Sequence, residues 1–163
     1  MSEALHPVAI EVNGVRREGR VPARLSLVDW LRDELRLTGT HVGCEHGICG
    51  ACSVMLDGEP VCSCLMYAVQ ADGHRITTVE GLQRPDGSLS VLQDSLCETH
   101  GLQCGYCTSG MLIAAQALLN QNPRPSEDEI RDAIGGNLCR CTGYQQIVDA
   151  VRLAAQRISD GAR

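Results

Sequence analysis

The sequence contains few of the side chains that usually fill a protein core. Its 163 residues include no Phe, one Trp and three Tyr. Large aromatic side chains ordinarily contribute much of the buried area of a core, so another feature must help to hold this fold. Hydrophobic residues make up 44% of the chain and charged residues 21%, which excludes a disordered or fibrous protein.

Basic charge is also scarce. The chain has 14 Lys and Arg residues against 20 Asp and Glu residues, which gives a formal net charge of -6. Nucleic-acid phosphates are bound by clustered Lys and Arg side chains. The longest basic group, Arg16-Arg17 with Arg20, is too small for such a surface, so we expect no nucleic-acid partner.

Long apolar runs are missing as well. No stretch approaches the roughly 18 apolar residues of a membrane span. The N-terminus lacks the basic start and apolar run of a secretory signal, so we expect a cytoplasmic protein without a membrane span. Ten cysteines are abundant by contrast. Because cytoplasmic thiols stay reduced, metal binding explains them better than disulfides do.

Turn signals and alternation predict a small sheet with one helix in the first half of the chain. Asn13-Gly14 and Asp57-Gly58 are typical of hairpin turns, because type I′ turns need positive φ at both central positions. Ser26 with Asp29 resembles a capping box and begins a short helix. The apolar face of that helix comprises Leu27, Trp30, Leu31 and Leu35. The predicted strands cover residues 8–12, 15–21, 53–56, 60–64 and 76–79.

A 3.6-residue hydrophobic period marks the second half as helical. Pro123 ends one helix, and a capping box of Ser126 with Glu129 begins the next. The predicted helices comprise a segment with Leu89, Leu92 and Leu96, residues 110–121, a segment ending at Gly135-Gly136, and residues 145–159. We therefore divide the chain into a strand-rich domain, residues 1–82, and a helical domain, residues 83–163. The join is predicted at residues 83–87.

Cysteines of the first half have the spacing of an iron–sulfur site. Cys44, Cys49 and Cys52 form C-x4-C-x2-C, which is the plant-type [2Fe–2S] spacing. A fourth ligand is expected from the nearby strand. Cys62 and Cys64 are both on that predicted strand with the same parity, so alternation alone cannot choose between them.

Glycines accompany these cysteines. Gly43, Gly47 and Gly50 would let the loop curl around a cluster and direct backbone N–H groups at its sulfurs. A structural zinc site is an alternative for the same four thiolates. A Rieske centre is another, since it binds through two Cys and two His. That centre would use Cys44-Glu45-His46 with Cys97-Glu98-Thr99-His100, and it leaves Cys49 and Cys52 without a role.

A second group of four cysteines lies in the helical half. Cys104 and Cys107 precede a helix, while Cys139 and Cys141 lie in a Gly-rich connection between two helices. Taken alone, this group could bind zinc. A thioredoxin-like C-x2-C is a weaker alternative, because it requires a βαβ context. The two remaining cysteines, Cys62 and Cys97, are interpreted as small buried apolar residues.

Both cysteine groups together, in this order, resemble the small iron–sulfur subunit of the molybdenum hydroxylases. This family includes xanthine dehydrogenase, aldehyde oxidoreductase and aerobic carbon monoxide dehydrogenase. The similarity covers roughly residues 7 to 158 and is carried by five segments. They are Gly39-Thr40-His41-Val42-Gly43-Cys44, Cys49-Gly50-Ala51-Cys52, Ser63-Cys64, Gln103-Cys104-Gly105-Tyr106-Cys107 and Gly136-Asn137-Leu138-Cys139-Arg140-Cys141-Thr142-Gly143-Tyr144.

The resemblance implies an α+β fold, with a plant-ferredoxin-like β-grasp domain followed by a C-terminal four-helix domain. It also implies two [2Fe–2S] clusters, the first on Cys44, Cys49, Cys52 and Cys64 and the second on Cys104, Cys107, Cys139 and Cys141. By the same resemblance, Gln103 and Cys141 approach the pterin of a molybdenum cofactor. Family members usually have Pro where this chain has Ser109, which we expect to cap the helix instead.

The resemblance further implies an electron-transfer role. Electrons from a molybdenum centre would pass singly through the helical-domain cluster, the ferredoxin-like cluster and a flavin. The implied partners are a large subunit with molybdopterin cytosine dinucleotide and a medium subunit with FAD, assembled as a dimer of heterotrimers. Consistent with this, the chain has no Walker A pattern, no Rossmann fingerprint and no substrate site of its own.

The resemblance does not name one substrate. The Gly39–Gly43 and Ala68–Ala71 stretches look most like carbon monoxide dehydrogenase-type members. The holoenzyme would hydroxylate a small substrate with oxygen from water. The candidates are carbon monoxide, an aldehyde, an N-heterocycle or purine, and an aromatic acyl-CoA.

Overall fold

The computed structural model describes residues 3–161 and has an α+β architecture. The first half forms strands β1 (Leu5–Val12), β2 (Val15–Pro22), β3 (Ser53–Leu56), β4 (Glu59–Cys62) and β5 (Arg75–Thr77). It also contains the short helix α1 (Leu27–Asp29), which continues into a π-helical turn over Trp30–Glu34. The second half forms helices α2 (Val91–Glu98), α3 (Thr108–Gln121), α4 (Glu127–Ile134) and α5 (Gln145–Ser159).

The five strands form one mixed sheet in the order β2-β1-β5-β3-β4. β1 pairs with β5 in parallel, and the other neighbouring strands are antiparallel. Both predicted hairpin turns are confirmed, because Asn13, Gly14, Asp57 and Gly58 all have positive φ. The α+β class is therefore confirmed, with a ferredoxin-like sheet first and helices second.

Two aliphatic cores replace the missing aromatics. The first packs strand residues against α1, and Trp30 is its single large aromatic side chain, 2% exposed. The second packs α2, α3, α4 and α5 around Leu92, Ile130 and Ile147. A small third cluster of Met55, Ile113 and Ala117 lies where α3 crosses β3. The two halves thus share buried contacts along one helix.

One strand is shorter than predicted. The predicted strand 60–64 ends at Cys62, and Ser63–Leu65 form a 3₁₀ turn. Buried Ser63 donates from both its N–H and its hydroxyl to the Cys52 carbonyl, at 3.3 and 2.7 Å. Cys64 therefore projects from a turn, and the expectation that it shares strand parity with Cys62 is wrong. Similarly, the last strand ends at Thr77, before a 3₁₀ turn over Val79–Leu82.

Helix termini follow the predicted caps at most positions. The predicted caps Ser26 and Ser126 each accept the backbone N–H of the residue three positions later, and so does Ser90, for which no cap was predicted. Leu89 lies before the Ser90 cap, so it is outside α2. The expectation for Ser109 is wrong, because α3 begins at Thr108 and Ser109 is buried inside its first turn.

Asn13 provides a sharp test of the strand-rich half. Its side-chain amide donates to the hydroxyl of buried Thr78 and accepts the Thr78 N–H, both at 2.9 Å. Asn13→Ala removes both bonds and places alanine at φ 51°, so we expect a loss of about 1–3 kcal/mol in unfolding free energy, measured by urea denaturation. Asn13→Gly keeps the backbone conformation and isolates the hydrogen-bond contribution. Unchanged stability in both variants would contradict this role.

Among the described helices, none combines the length and apolar character that a membrane crossing requires. All ten cysteines lie within residues 3–161, and none of them forms a disulfide.

Candidate metal centres

The first cysteine loop wraps its backbone around one thiol. The N–H groups of His46, Ile48 and Cys49 donate to the Cys44 sulfur at 3.3, 3.3 and 3.4 Å. These bonds, that of His46 foremost, lower the pKa of the Cys44 thiol to about 6. Since the thiolate is the metal-binding form of cysteine, the loop favours the form of this thiol that could bind a metal.

The glycines of this loop have different roles. Gly47 and Gly50 have φ of 71° and 68°, which a side chain would strain. Gly43 does not have positive φ, contrary to the idea that it adds left-handed freedom. A Cβ at Gly43 would lie 3.0 Å from the Cys49 sulfur, so this glycine leaves room beside a thiol.

Thiols of the first group associate in pairs. The Cys44 side chain is within hydrogen-bonding reach of Cys49, and the Cys52 side chain is within reach of Cys64. Ser63 fixes the second pair by binding the Cys52 carbonyl from the position next to Cys64. Burial raises the pKa of Cys64 to about 11, so this thiol is protonated at neutral pH, and a bound cation would favour its ionised form.

The second group shows the same pairing. The sulfurs of Cys104 and Cys141 lie 3.6 Å apart, and the side chains of Cys107 and Cys139 are within hydrogen-bonding reach. Cys107 is the N-cap residue of α3, where the helix dipole favours negative charge. The Thr142 N–H donates to the Cys139 sulfur at 3.4 Å.

The pairing of the cysteine side chains shows which metal centre, a single zinc ion or a [2Fe–2S] cluster, these residues fit. Two thiolates on one tetrahedral metal, with bonds of about 2.3 Å, lie about 3.8 Å apart, close to the Cys104–Cys141 separation. Within residues 3–161, no three His, Cys, Asp or Glu side chains converge on a point for a single ion. Four thiols in two pairs fit a [2Fe–2S] core, in which each of two irons takes two thiolates. They do not fit one zinc ion surrounded by all four.

Both cysteine groups line one cavity of about 280 Å³. Its walls include Cys44 and Cys49 from the first group and all four cysteines of the second. At this place the Leu138 N–H donates to the Cys49 carbonyl at 2.9 Å, and Leu138 directly precedes Cys139. A single hydrogen bond therefore joins the backbones that carry the two groups.

Asn137 closes the contact between the two loops, although the sequence analysis gave it no role. It is 4% exposed, and its amide donates to the Gly50 carbonyl at 2.8 Å. The α3 residue Gly110 lies against the same carbonyl, with no space for a Cβ. The sequence signals for Asn137 are its place in a segment that carries the family resemblance and its polar side chain inside a glycine-rich loop.

Two aromatic residues also hold the cysteine loops and were missed. The Tyr144 hydroxyl accepts the Cys139 N–H at 2.8 Å and donates to the Asn137 carbonyl at 3.1 Å. Tyr106 donates to the Val42 carbonyl at 2.5 Å, and its ring stacks on His41 with centroids 4.9 Å apart. Tyr106 directly precedes Cys107 and Tyr144 lies three residues after Cys141, but the partners of both tyrosines are set only by the tertiary contacts.

The remaining residues predicted at or near the sites lie in different surroundings. The Gln103 amide donates to the Cys141 carbonyl at 3.1 Å, so these two exposed residues are adjacent. Cys62 is half-buried with its sulfur 3.9 Å from the Gly47 carbonyl oxygen. Cys97 is exposed near the end of α2, so its interpretation as a buried apolar residue is wrong. His100 follows that helix and lies outside the walls of the cysteine cavity.

Comparison with known proteins identifies the family. Residues 10–81 match the family model for a 2Fe-2S iron-sulfur cluster binding domain, and residues 78–152 match that for a [2Fe-2S] binding domain. Caffeine dehydrogenase subunit gamma of Pseudomonas sp. (strain CBB1) is 55% identical over 150 residues, covering 90% of this chain and 89% of the relative. The chain belongs to the small iron–sulfur subunits of the molybdenum hydroxylases.

Other members of these iron–sulfur subunits are similar over nearly their whole length. The small subunit of nicotine 6-hydroxylase from Paenarthrobacter nicotinovorans is 52% identical, covering 94% of this chain and 92% of that subunit. The crystal structure of quinoline 2-oxidoreductase from Pseudomonas putida 86 contains a chain with TM-score 0.93 and 47% identity, covering 99% of this chain and 100% of that one. This chain is therefore a [2Fe–2S] subunit of an oxidoreductase, and the zinc and thioredoxin interpretations are set aside.

Proposed function

We propose that this chain carries single electrons through two [2Fe–2S] clusters between partner subunits of a molybdenum hydroxylase. The observation that supports this most is the association of eight thiols in four pairs at the two sites. The proposed ligands are Cys44, Cys49, Cys52 and Cys64 for the first cluster and Cys104, Cys107, Cys139 and Cys141 for the second. Each cluster accepts and releases one electron at a time.

The contact between the two sites supports an order for the transfer. Electrons would enter at the second cluster, near the exposed Gln103 and Cys141, and leave from the first. Between the clusters they would use the backbone bond from the Leu138 N–H to the Cys49 carbonyl. Cys139 follows Leu138 directly, so the path between the Cys49 and Cys139 sulfurs consists of covalent bonds and this one hydrogen bond.

Exposed apolar side chains beside each site support two partner contacts. Ile48 and Leu65 flank the first site and are each 64% exposed, while Leu138 beside the second is 55% exposed. Contiguous exposed apolar surface is typical of interaction sites. We propose that the first face meets a medium FAD subunit, and that the second meets a large subunit holding molybdopterin cytosine dinucleotide.

The proposed assembly is a cytoplasmic dimer of heterotrimers. Within it, Gln103 and Cys141 would approach the pterin, since their side chains are exposed and adjacent. Within this chain we propose a ferredoxin-like domain of residues 1–82 and a four-helix cluster-binding domain of residues 83–163. The family matches at residues 10–81 and 78–152 support a boundary near this position.

The names of similar proteins support a substrate class. Caffeine dehydrogenase, nicotine 6-hydroxylase and quinoline 2-oxidoreductase are all named for nitrogen heterocycles. We therefore propose that the holoenzyme hydroxylates an N-heterocycle with oxygen from water. The substrate pocket would lie on the large subunit.

Metal analysis tests the cluster assignment. The purified chain is expected to contain about four iron atoms and to give, after reduction, EPR signals of two [2Fe–2S] clusters. Because the two sites share a cavity wall, we also expect magnetic interaction between the reduced clusters. A colourless protein with stoichiometric zinc would overturn the assignment.

Co-purification tests the role as a subunit. Expressed with its flavin and molybdenum partners, the chain is expected to elute with both under gentle conditions. If it elutes alone with its iron intact, it is a free two-cluster electron carrier and the proposed assembly is wrong.

A further inference from the structure

Cys62 is a fifth thiol at the first cluster site, and it has no assigned role there. Its sulfur lies 3.9 Å from the Gly47 carbonyl oxygen, and its side chain is within hydrogen-bonding reach of Cys52. Cys64 has the same two neighbours, since it contacts the Gly47 backbone and the Cys52 side chain. Two thiols therefore approach Cys52 from the same short segment.

The backbone keeps both thiols in place. Cys62 pairs across the strands with Ser53, which directly follows Cys52. Ser63, between the two thiols, is completely buried and holds the Cys52 carbonyl through two hydrogen bonds. Cys62 and Cys64 therefore lie on either side of a fixed residue, and both stay within reach of the Cys52 side chain.

Cys97 shows that the position of Cys62 is specific. It is the other cysteine without a proposed cluster, and it lies exposed in the last turn of α2. Cys62, by contrast, is half-buried and within hydrogen-bonding reach of Cys52. Of the two additional thiols, only Cys62 is placed where it could bind an iron of the first cluster.

We propose that Cys62 is an alternative ligand for the iron that Cys52 and Cys64 bind. This inference rests on the proposed function, because it requires a [2Fe–2S] cluster at the first site. In the exchange, the iron–sulfur bond to Cys64 breaks and that sulfur takes a proton. The Cys62 thiol loses a proton and forms the new bond, so neither iron nor sulfur changes oxidation state. The first cluster would thereby survive loss of one ligand.

Iron content of ligand variants tests the exchange. Cys64→Ala is expected to retain about four iron atoms per chain, with an altered EPR signal from the first cluster. Cys62→Ala should also retain about four, whereas the double variant should retain about two. A single Cys64→Ala variant with about two iron atoms and no first-cluster signal would overturn the proposal.

A second measurement covers the case in which Cys64→Ala does not fold. Cys62→Ala keeps all four proposed ligands, and it should release first-cluster iron to a chelator several-fold faster than wild type, because a released ligand is not replaced. Equal rates would overturn the proposal, and Cys97→Ala should match wild type. Wild-type protein without iron would instead overturn the proposed function, so the two failures are distinguishable.

Discussion

Replacing Cys139 by alanine is expected to remove the second cluster and to halve the iron content, from about four to about two atoms per chain. Cys139 is paired with Cys107, so one iron would keep only one protein thiolate. The first cluster should remain, because its thiols lie on a separate loop. In the assembled enzyme, substrate-driven reduction of the flavin should fall to background.

Cys97→Ala is the matched control for this experiment. It also removes a thiol from the helical half, but from an exposed position at the end of α2. Its iron content, EPR spectrum and flavin reduction should equal those of wild type. If Cys139→Ala retained four iron atoms and normal electron transfer, the assignment of the second site would be wrong.

Alanine at Gly110 is expected to destabilise the junction between the halves. Its Cβ would overlap the Gly50 carbonyl oxygen and lie 2.7 Å from the Asn137 amide nitrogen. Alanine is ordinarily favoured over glycine inside a helix by about 1 kcal/mol, but overpacking costs more. We expect a net loss of about 1–3 kcal/mol in unfolding free energy, measured by thermal denaturation. The magnetic interaction between the clusters should weaken with it.

Gly136→Ala is the control for Gly110→Ala. Gly136 lies in the same glycine-rich ligand loop as Asn137, but a Cβ there meets no atom within 4 Å. Stability and cluster interaction should remain close to wild type. If the two variants behaved alike, the tight packing of α3 against the Gly50 loop would not be what joins the two halves.

Local patterns in the sequence predicted much of the fold. Asn13-Gly14 and Asp57-Gly58 form their hairpin turns, and Ser126 caps α4 with Glu129. These features depend on residues at most a few positions apart, so they can be predicted from the local sequence. The helix boundaries near Gln121 and Ser159 follow equally from short-range periodicity. Cysteine spacing likewise indicated two metal sites, because C-x4-C-x2-C brings thiols together within one loop.

The prediction from strand alternation was wrong for Cys64, the fourth cysteine of the first group. The predicted strand placed the side chains of Cys62 and Cys64 on one face. In the structure, Ser63 donates a hydrogen bond to the Cys52 carbonyl, and Ser63–Leu65 form a 3₁₀ turn instead of a strand. That bond spans eleven residues, so no local preference of the segment reveals it. The roles of Tyr144 and Asn137 were not predicted either, because they too depend on contacts formed only in the folded chain.

Short-range pattern thus predicted most of the strands and helices and indicated two groups of cysteines, since each of these depends on neighbours in sequence. Tertiary structure decided how the thiols pair and how the two sites meet. The hydrogen bond from Leu138 to Cys49 and that from Asn137 to Gly50 connect residues more than eighty positions apart. Such contacts form only when both halves are folded and α3 is packed on β3. Tertiary packing also compensates for the scarcity of aromatic residues, because it forms two aliphatic cores that are joined along α3.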